Sequence, residues 1–142
     1  MKGKKILIMG LPGSGKTTLA EQLVDRLPAV WFNADEIRNN INKDLGFTEQ
    51  DRVEQASRLS LLCDIALRNR VVSYALADFI CPTDVTRKTF NPDVIIWMNT
   101  IQQGRFEDTN RVFENPDFYN IEITSWDYDI DHIFEQIKLH DR

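Results

Sequence analysis

The stretch GLPGSGKTTLAEQL, Gly10 to Leu23, decides how the rest of the chain is read. Gly10, Gly15, Lys16 and Thr17 satisfy G-x-x-x-x-G-K-[ST], a pattern that signals a phosphate cradle when it lies between a strand and a helix. Both flanks meet that condition. Lys5 to Met9 is a short apolar run, as a buried parallel strand requires, and Leu19, Leu23 and Leu27 recur at helical spacing along Thr17 to Leu27. Glycines let successive backbone N–H groups turn toward an anion, and the helix N-terminus adds positive potential. Lys16 can then reach the outer phosphates, and the Thr17 hydroxyl can ligate Mg²⁺. ATP is the expected ligand, cradled by Gly10, Pro12, Gly13, Ser14, Gly15, Lys16, Thr17 and Thr18.

Outward from this loop, strands and helices alternate. Val30 to Asn33 predicts a second strand, and Asp35 begins a short helical segment through Ile37 and Ile41. Thr48 with Asp51 resembles a capping box, after which Val53, Ala56, Leu59, Cys63 and Ala66 trace one face of a helix to about Asn69. Val71 to Ile80 is apolar apart from Ser73 and Asp78 and predicts a strand; Thr83 to Phe90 predicts a helix, Asp93 to Met98 a buried strand, and Asn120 to Thr124 the last strand. Ile130, Ile133, Phe134 and Ile137 give a closing helix its inner stripe. This order implies an α/β protein: a parallel sheet with helices on both faces. No repeat, linker or low-complexity segment interrupts it, and 142 residues fit a single domain, 1–142.

Composition narrows the function classes. Hydrophobic residues at 42% and charged residues at 27% belong to an ordinary globular chain. A net charge of −5 argues against a broad electrostatic grip on nucleic acid or anionic lipid, so a polyanion has to be held locally. No run approaches the length of a membrane span, and MKGKKILIMG is too short and strand-like for a signal peptide, which predicts a cytoplasmic protein. Cys63 and Cys81 lack metal-type spacing and are expected as buried, reduced thiols. Trp31, Trp97 and Trp126 are expected to pack the sheet or its flanks, His132 and His140 to lie on the surface, and Asp127 to Asp131 to form a solvated turn.

Two carboxylates are candidates for chemistry. Asp35 follows the second strand, at the edge of an open parallel sheet where ligands bind. It can orient or deprotonate an acceptor hydroxyl, or hold a cation's water shell; a plain helix cap is the alternative. Asp78 ends the third strand and can instead be the carboxylate on the cation's water shell.

The run NADEIRNNINKDLGFTEQDR, Asn33 to Arg52, together with GLPGSGKTT and FICP, resembles the adenylylsulfate kinase family, whose members phosphorylate the 3′-hydroxyl of adenosine 5′-phosphosulfate (APS). NKDLGFTEQDR is its most specific part, and FEDTNRVFENP, Phe106 to Pro116, is similar to a later family segment. The resemblance covers most of Met1 to Pro116. It implies a three-layer P-loop kinase fold with a five-stranded parallel sheet in the order 2-3-1-4-5. It also implies roles: Lys16 and Asp35 catalytic; Asp35 beside the acceptor hydroxyl and, with Thr17 and Asp78, the Mg²⁺; Arg38 and Arg52 on the phosphosulfate; Phe47 and Phe106 clasping the acceptor's adenine; Ile80 against the acceptor. Arginine forks suit bidentate contact with phosphate or sulfate oxygens, and aromatic faces suit a purine. Solvated arginines and core phenylalanines are the plainer alternatives. Family members often form dimers.

The chain departs from the family in several places. Gln55 stands where Asn is usual, and Cys81 and Thr83 where Ser and Tyr are usual. VIIWMNTIQQGRFEDT passes almost directly from strand to Phe106, where the family inserts a longer charged lid. Its loss is expected to weaken nucleotide binding or slow the reaction, with Arg105 or Arg111 either substituting at the phosphates or lying exposed. Three readings stay open: an APS kinase, a kinase of the same build acting on another nucleotide-like, sugar or nucleic-acid hydroxyl, and a non-catalytic ATP-binding protein.

Overall fold

Alternate residues of the first strand enter opposite layers, and this divides the core in two. In β1 (Lys4–Met9), Ile6 and Ile8 face a layer with α1 (Lys16–Val24) and α6 (Ile130–Leu139). Leu7 and Met9 face the other, with α3 (Glu49–Arg68) and α4 (Asp84–Phe90). A strand covered on both faces reads as a continuous apolar run, which is why KILIM carries no alternation. The structure is a computed structural model and describes residues 3–104 and 106–140.

β1 lies at the centre of a five-stranded sheet between β3 (Tyr74–Asp78) and β4 (Val94–Met98), with β2 (Ala29–Asn33) and β5 (Ile121–Ile123) at the edges. All pairs are parallel and the order is β2-β3-β1-β4-β5, as the family resemblance implies. The carboxyl ends of the strands therefore converge on one edge. From there β1 runs into the phosphate loop, β2 into α2 (Ala34–Asn40), and β3 into the FICP turn.

Several boundaries differ from the sequence-based expectation. The third strand is Tyr74–Asp78 rather than Val71 to Ile80. Its length follows its partners, because the ladder with β1 runs from Lys4–Tyr74 to Ile8–Asp78, and Val71, 84% exposed, belongs to the turn before it. The first helix ends at Val24, although Leu27 keeps its inward position through a turn in which Leu27 N–H donates to Leu23 O at 2.8 Å. The cap of α2 is Asn33 and not Asp35: Asn33 Oδ1 accepts the Glu36 N–H at 2.9 Å, and Asp35 lies in the first turn. Thr48 caps α3, but the Asp51 carboxylate accepts the Gly46 N–H at 3.1 Å rather than closing a reciprocal box. Buried on α3 are Gln55, Ala56, Leu59 and Cys63, while Val53 and Ala66 are only partly covered. A short helix, α5 (Glu107–Val112), had no periodic signal.

Both cysteines are free and buried, as expected. Burial pushes both thiols up to about 12, so at pH 8 only on the order of one in ten thousand is thiolate. A thiol-reactive chromophore at pH 8 should therefore label neither cysteine in the native protein and both after denaturation. Rapid labelling of the native protein would contradict this packing.

Candidate active site

The loop between β1 and α1 bends where only glycine is comfortable. Gly13 and Gly15 have φ of 85° and 99°, values that carry a steric cost for any side chain. A Cβ on Gly15 would also meet the Trp126 ring at 2.6 Å, and one on Gly10 would meet the Met98 carbonyl oxygen at 2.7 Å. Lys16 is buried, and its ammonium donates to Gly10 O at 3.0 Å and Leu11 O at 2.9 Å, folding the side chain back onto the loop. Ser14 is fully buried.

This loop forms one wall of a cavity of about 770 Å³. Pro12, Gly13, Gly15, Lys16, Thr17 and Thr18 line that wall, whereas Gly10 and Ser14 are buried and do not border the cavity. Asp35, Arg38, Phe47, Arg52, Asp78, Ile80 and Phe106 line the remainder. Every residue that the family resemblance assigned to the acceptor thus borders the same space as the phosphate loop. Phe47 and Phe106 are not core residues, being 65% and 58% exposed.

The arginines are organised around Phe47. The Arg38 guanidinium lies 4.4 Å from the ring centroid and that of Arg52 5.7 Å from it. Arg38 also donates to Gly46 O, and Arg52 Nε to Phe47 O at 3.1 Å. Burial lowers the pKa of both, offset at Arg38 by Asp35 and Asp51 and reinforced at Arg52 by the charge of Arg38. Two like charges held together this way are relieved by an anion between them.

Across the cavity, Asp78 is buried at the end of β3. Burial raises its pKa, opposed by hydrogen bonds from Asn33 and Trp31 and by the charge of Lys16. Asn33 Nδ2 lies 3.0 Å from Asp78 Oδ2 and 3.3 Å from Thr17 Oγ1, so one amide spans a carboxylate and a hydroxyl. Such oxygen donors fit Mg²⁺, which takes one or two carboxylates and completes its shell with phosphates and water. Among the described residues no group of three or more His, Cys, Asp and Glu forms a protein-only metal cage.

The connection after β4 is short and pinned to the phosphate loop. Thr100 Oγ1 donates to Ser14 O at 2.7 Å, and a Cβ on Gly104 would meet Pro12 at 3.0 Å. Asn110 holds the same turn by accepting the Gly104 N–H at 2.7 Å. Of the two arginines considered as substitutes for a lid, Arg105 lies outside the described residues, and Arg111 is an exposed residue 3.6 Å from Glu107.

Sequence reasoning gave no site role to three residues that border the cavity. Gln55 is buried at the cavity wall, accepting from Asn42 Nδ2 at 2.7 Å and donating to Ala34 O at 3.3 Å. Asn33 ends the second expected strand, and its residue type, one that favours helix caps, is the signal that could have marked it. Trp126 was expected to pack the sheet or its flanks; its ring lies on Gly15, at the cavity, and is 57% exposed. No periodicity around position 126 distinguishes the two outcomes. Trp97 is buried in the sheet and Trp31 lies against it, in keeping with expectation.

The sheet order, with the glycine loop at the carboxyl end of its central strand, defines a P-loop kinase fold. The family model for adenylylsulphate kinase matches residues 2–97, and the chain belongs to that family. It is 34% identical over 86 residues to an adenylyl-sulfate kinase of Gloeothece citriformis, covering 57% of this chain and 48% of that protein. It is 40% identical over 90 residues to one from Saccharomyces bayanus, covering 60% and 44%. The chain thus spans about half the length of the curated relatives it matches. In fold it is similar to the APS kinase of Mycobacterium tuberculosis solved with AMPPNP and APS, with a TM-score of 0.74, 21% identity, and 98% and 97% of the two chains covered. No helix among the described residues is long and apolar enough to cross a membrane.

Proposed function

We propose that this chain transfers the γ-phosphoryl group of ATP to the 3′-hydroxyl of APS, as a single cytoplasmic domain serving sulfate assimilation. The observation that carries this reading is the continuity of the cavity from the phosphate loop to Arg38, Phe47, Arg52 and Phe106. In it, an ATP γ-phosphoryl group and a purine nucleotide can lie in one continuous cleft.

Phosphoryl transfer requires alignment and charge neutralisation more than covalent chemistry. The loop amides and Lys16 hold the β- and γ-phosphates. Thr17 and Asp78, with Asp35 nearby, would hold Mg²⁺, whose bound charge neutralises what develops on the transferring group. Arg38 and Arg52 take the phosphosulfate, and Phe47 and Phe106 take the adenine. Asp35, exposed at the first turn of α2, positions the 3′-hydroxyl and accepts its proton.

The Phe47 role has a direct test. Base stacking on an aromatic ring contributes about 1–3 kcal/mol, so Phe47→Ala should raise the KM for APS about 5- to 150-fold. Because Phe47 is largely exposed, the melting temperature should barely move. An unchanged KM would remove Phe47 from the acceptor site.

The reading as a whole is tested by a coupled assay for ADP. Product should appear only when APS is added, and no other phosphorylatable alcohol in a panel of nucleotides and sugars should substitute. The short connection after β4 favours a second reading, a kinase of the same build for a different acceptor, which would yield ADP with another member of that panel and ignore APS.

A further inference from the structure

Asn33 stands where the two sides of the cavity meet, and each end of its amide is engaged. Oδ1 accepts the Glu36 N–H at 2.9 Å and so holds the first turn of α2, the helix that carries Asp35 and Arg38. Nδ2 donates to Asp78 Oδ2 at 3.0 Å and lies 3.3 Å from Thr17 Oγ1. The Trp31 indole N–H donates to the same Asp78 oxygen at 2.8 Å. Strand pairing makes this possible, since Asn33 and Asp78 are register partners in the parallel β2–β3 ladder. Two donors on one carboxylate oxygen fix the plane of the group and direct its other oxygen, Oδ1, to further ligands.

We propose that Asn33 is the positioning residue that joins the cation side of the site, Thr17 and Asp78, to the acceptor helix, and that the Trp31 indole is the second hold on Asp78. The proposal rests on the phosphoryl-transfer reading above and adds to it two residues, Asn33 at the cavity wall and Trp31 behind Asp78, that act through the Asp78 carboxylate. Only an amide does this task as placed: it accepts from a backbone N–H at one end and donates to a carboxylate at the other. Serine at position 33 would still cap α2 but is too short to reach Asp78, and phenylalanine at position 31 keeps the ring and loses the N–H.

The test separates cation positioning from acceptor binding. ADP is titrated into the full chain by calorimetry over a series of Mg²⁺ concentrations, with no acceptor present, and APS turnover is then measured at saturating Mg²⁺. Asn33→Ser is expected to raise the Mg²⁺ concentration that half-saturates ADP binding about tenfold, and Trp31→Phe severalfold, as loss of a hydrogen bond to a charged group implies. Asn33→Ser should also lower kcat with the KM for APS within twofold of wild type. A Mg²⁺ requirement within twofold of wild type in both variants overturns the proposal. Should Asn33→Ser lose its thermal unfolding transition, Trp31→Phe decides alone by the same Mg²⁺ criterion. Failure of the acceptor reading is distinguishable, because wild-type protein would then give no turnover with APS while the ADP and Mg²⁺ titrations remain readable.

Discussion

Lys16→Ala should lower the rate of APS-dependent ADP formation by about a thousandfold or more, without unfolding the protein. Lys16 is the cation that the sequence motif places beside the phosphates, and its ammonium is already drawn onto the loop through Gly10 O and Leu11 O. Loss of a single preorganised donor to a developing anion costs about 10²–10³ in rate, and here a full charge is lost with it. Lys16 and the two carbonyls that it meets are buried, so a thermal unfolding transition retained in the variant is the control that shows the effect to be chemical. A Lys16→Ala enzyme within tenfold of wild type would refute the assignment of the loop to phosphoryl transfer.

The second large effect is expected at Asp35. Asp35→Asn should reduce kcat by about 10²–10⁴, the range associated with a positioned acid–base group. Stability should fall by no more than about 0.3–1 kcal/mol, the contribution of one acidic residue near a helix N-terminus, because Asn33 and not Asp35 caps α2. The pairing of a large kinetic loss with an almost unchanged melting temperature separates a catalytic carboxylate from a capping one. A similar loss in both would assign Asp35 a structural task.

The elements legible in the sequence were those whose burial leaves a periodic trace. β1 and β4 are covered on both faces and read as unbroken apolar runs; α6 buries Ile133 and Ile137 on one stripe and reads as amphipathic. Limits set by partners were not legible. Nothing within Val71 to Ile80 says that pairing starts at Tyr74, since the start is fixed by Lys4 on β1 and Ala29 on β2. The six-residue α5 is too short to display a period.

The site divides in the same way. Motif spacing placed the phosphate loop, and the family resemblance placed Arg38, Phe47, Arg52 and Phe106, all of which border the cavity. The place of Trp126 at the phosphate loop was not legible because its contact with Gly15 spans more than a hundred positions of chain. The hold of Trp31 on Asp78 depends likewise on strands 47 residues apart in sequence becoming neighbours. The connection after β4 was expected as a stub, and its attachment to the loop through Thr100 and Gly104 gives that stub a fixed place beside Pro12 and Ser14.

All of this turns on a purine phosphosulfate occupying the half of the cavity opposite the phosphate loop. Calorimetric titration of APS into the protein with ADP and Mg²⁺ tests it without requiring turnover. The account predicts a saturable isotherm with one APS per chain, weakened by Arg38→Ala and by Phe47→Ala. An absence of heat from APS in protein that binds ADP normally would contradict it.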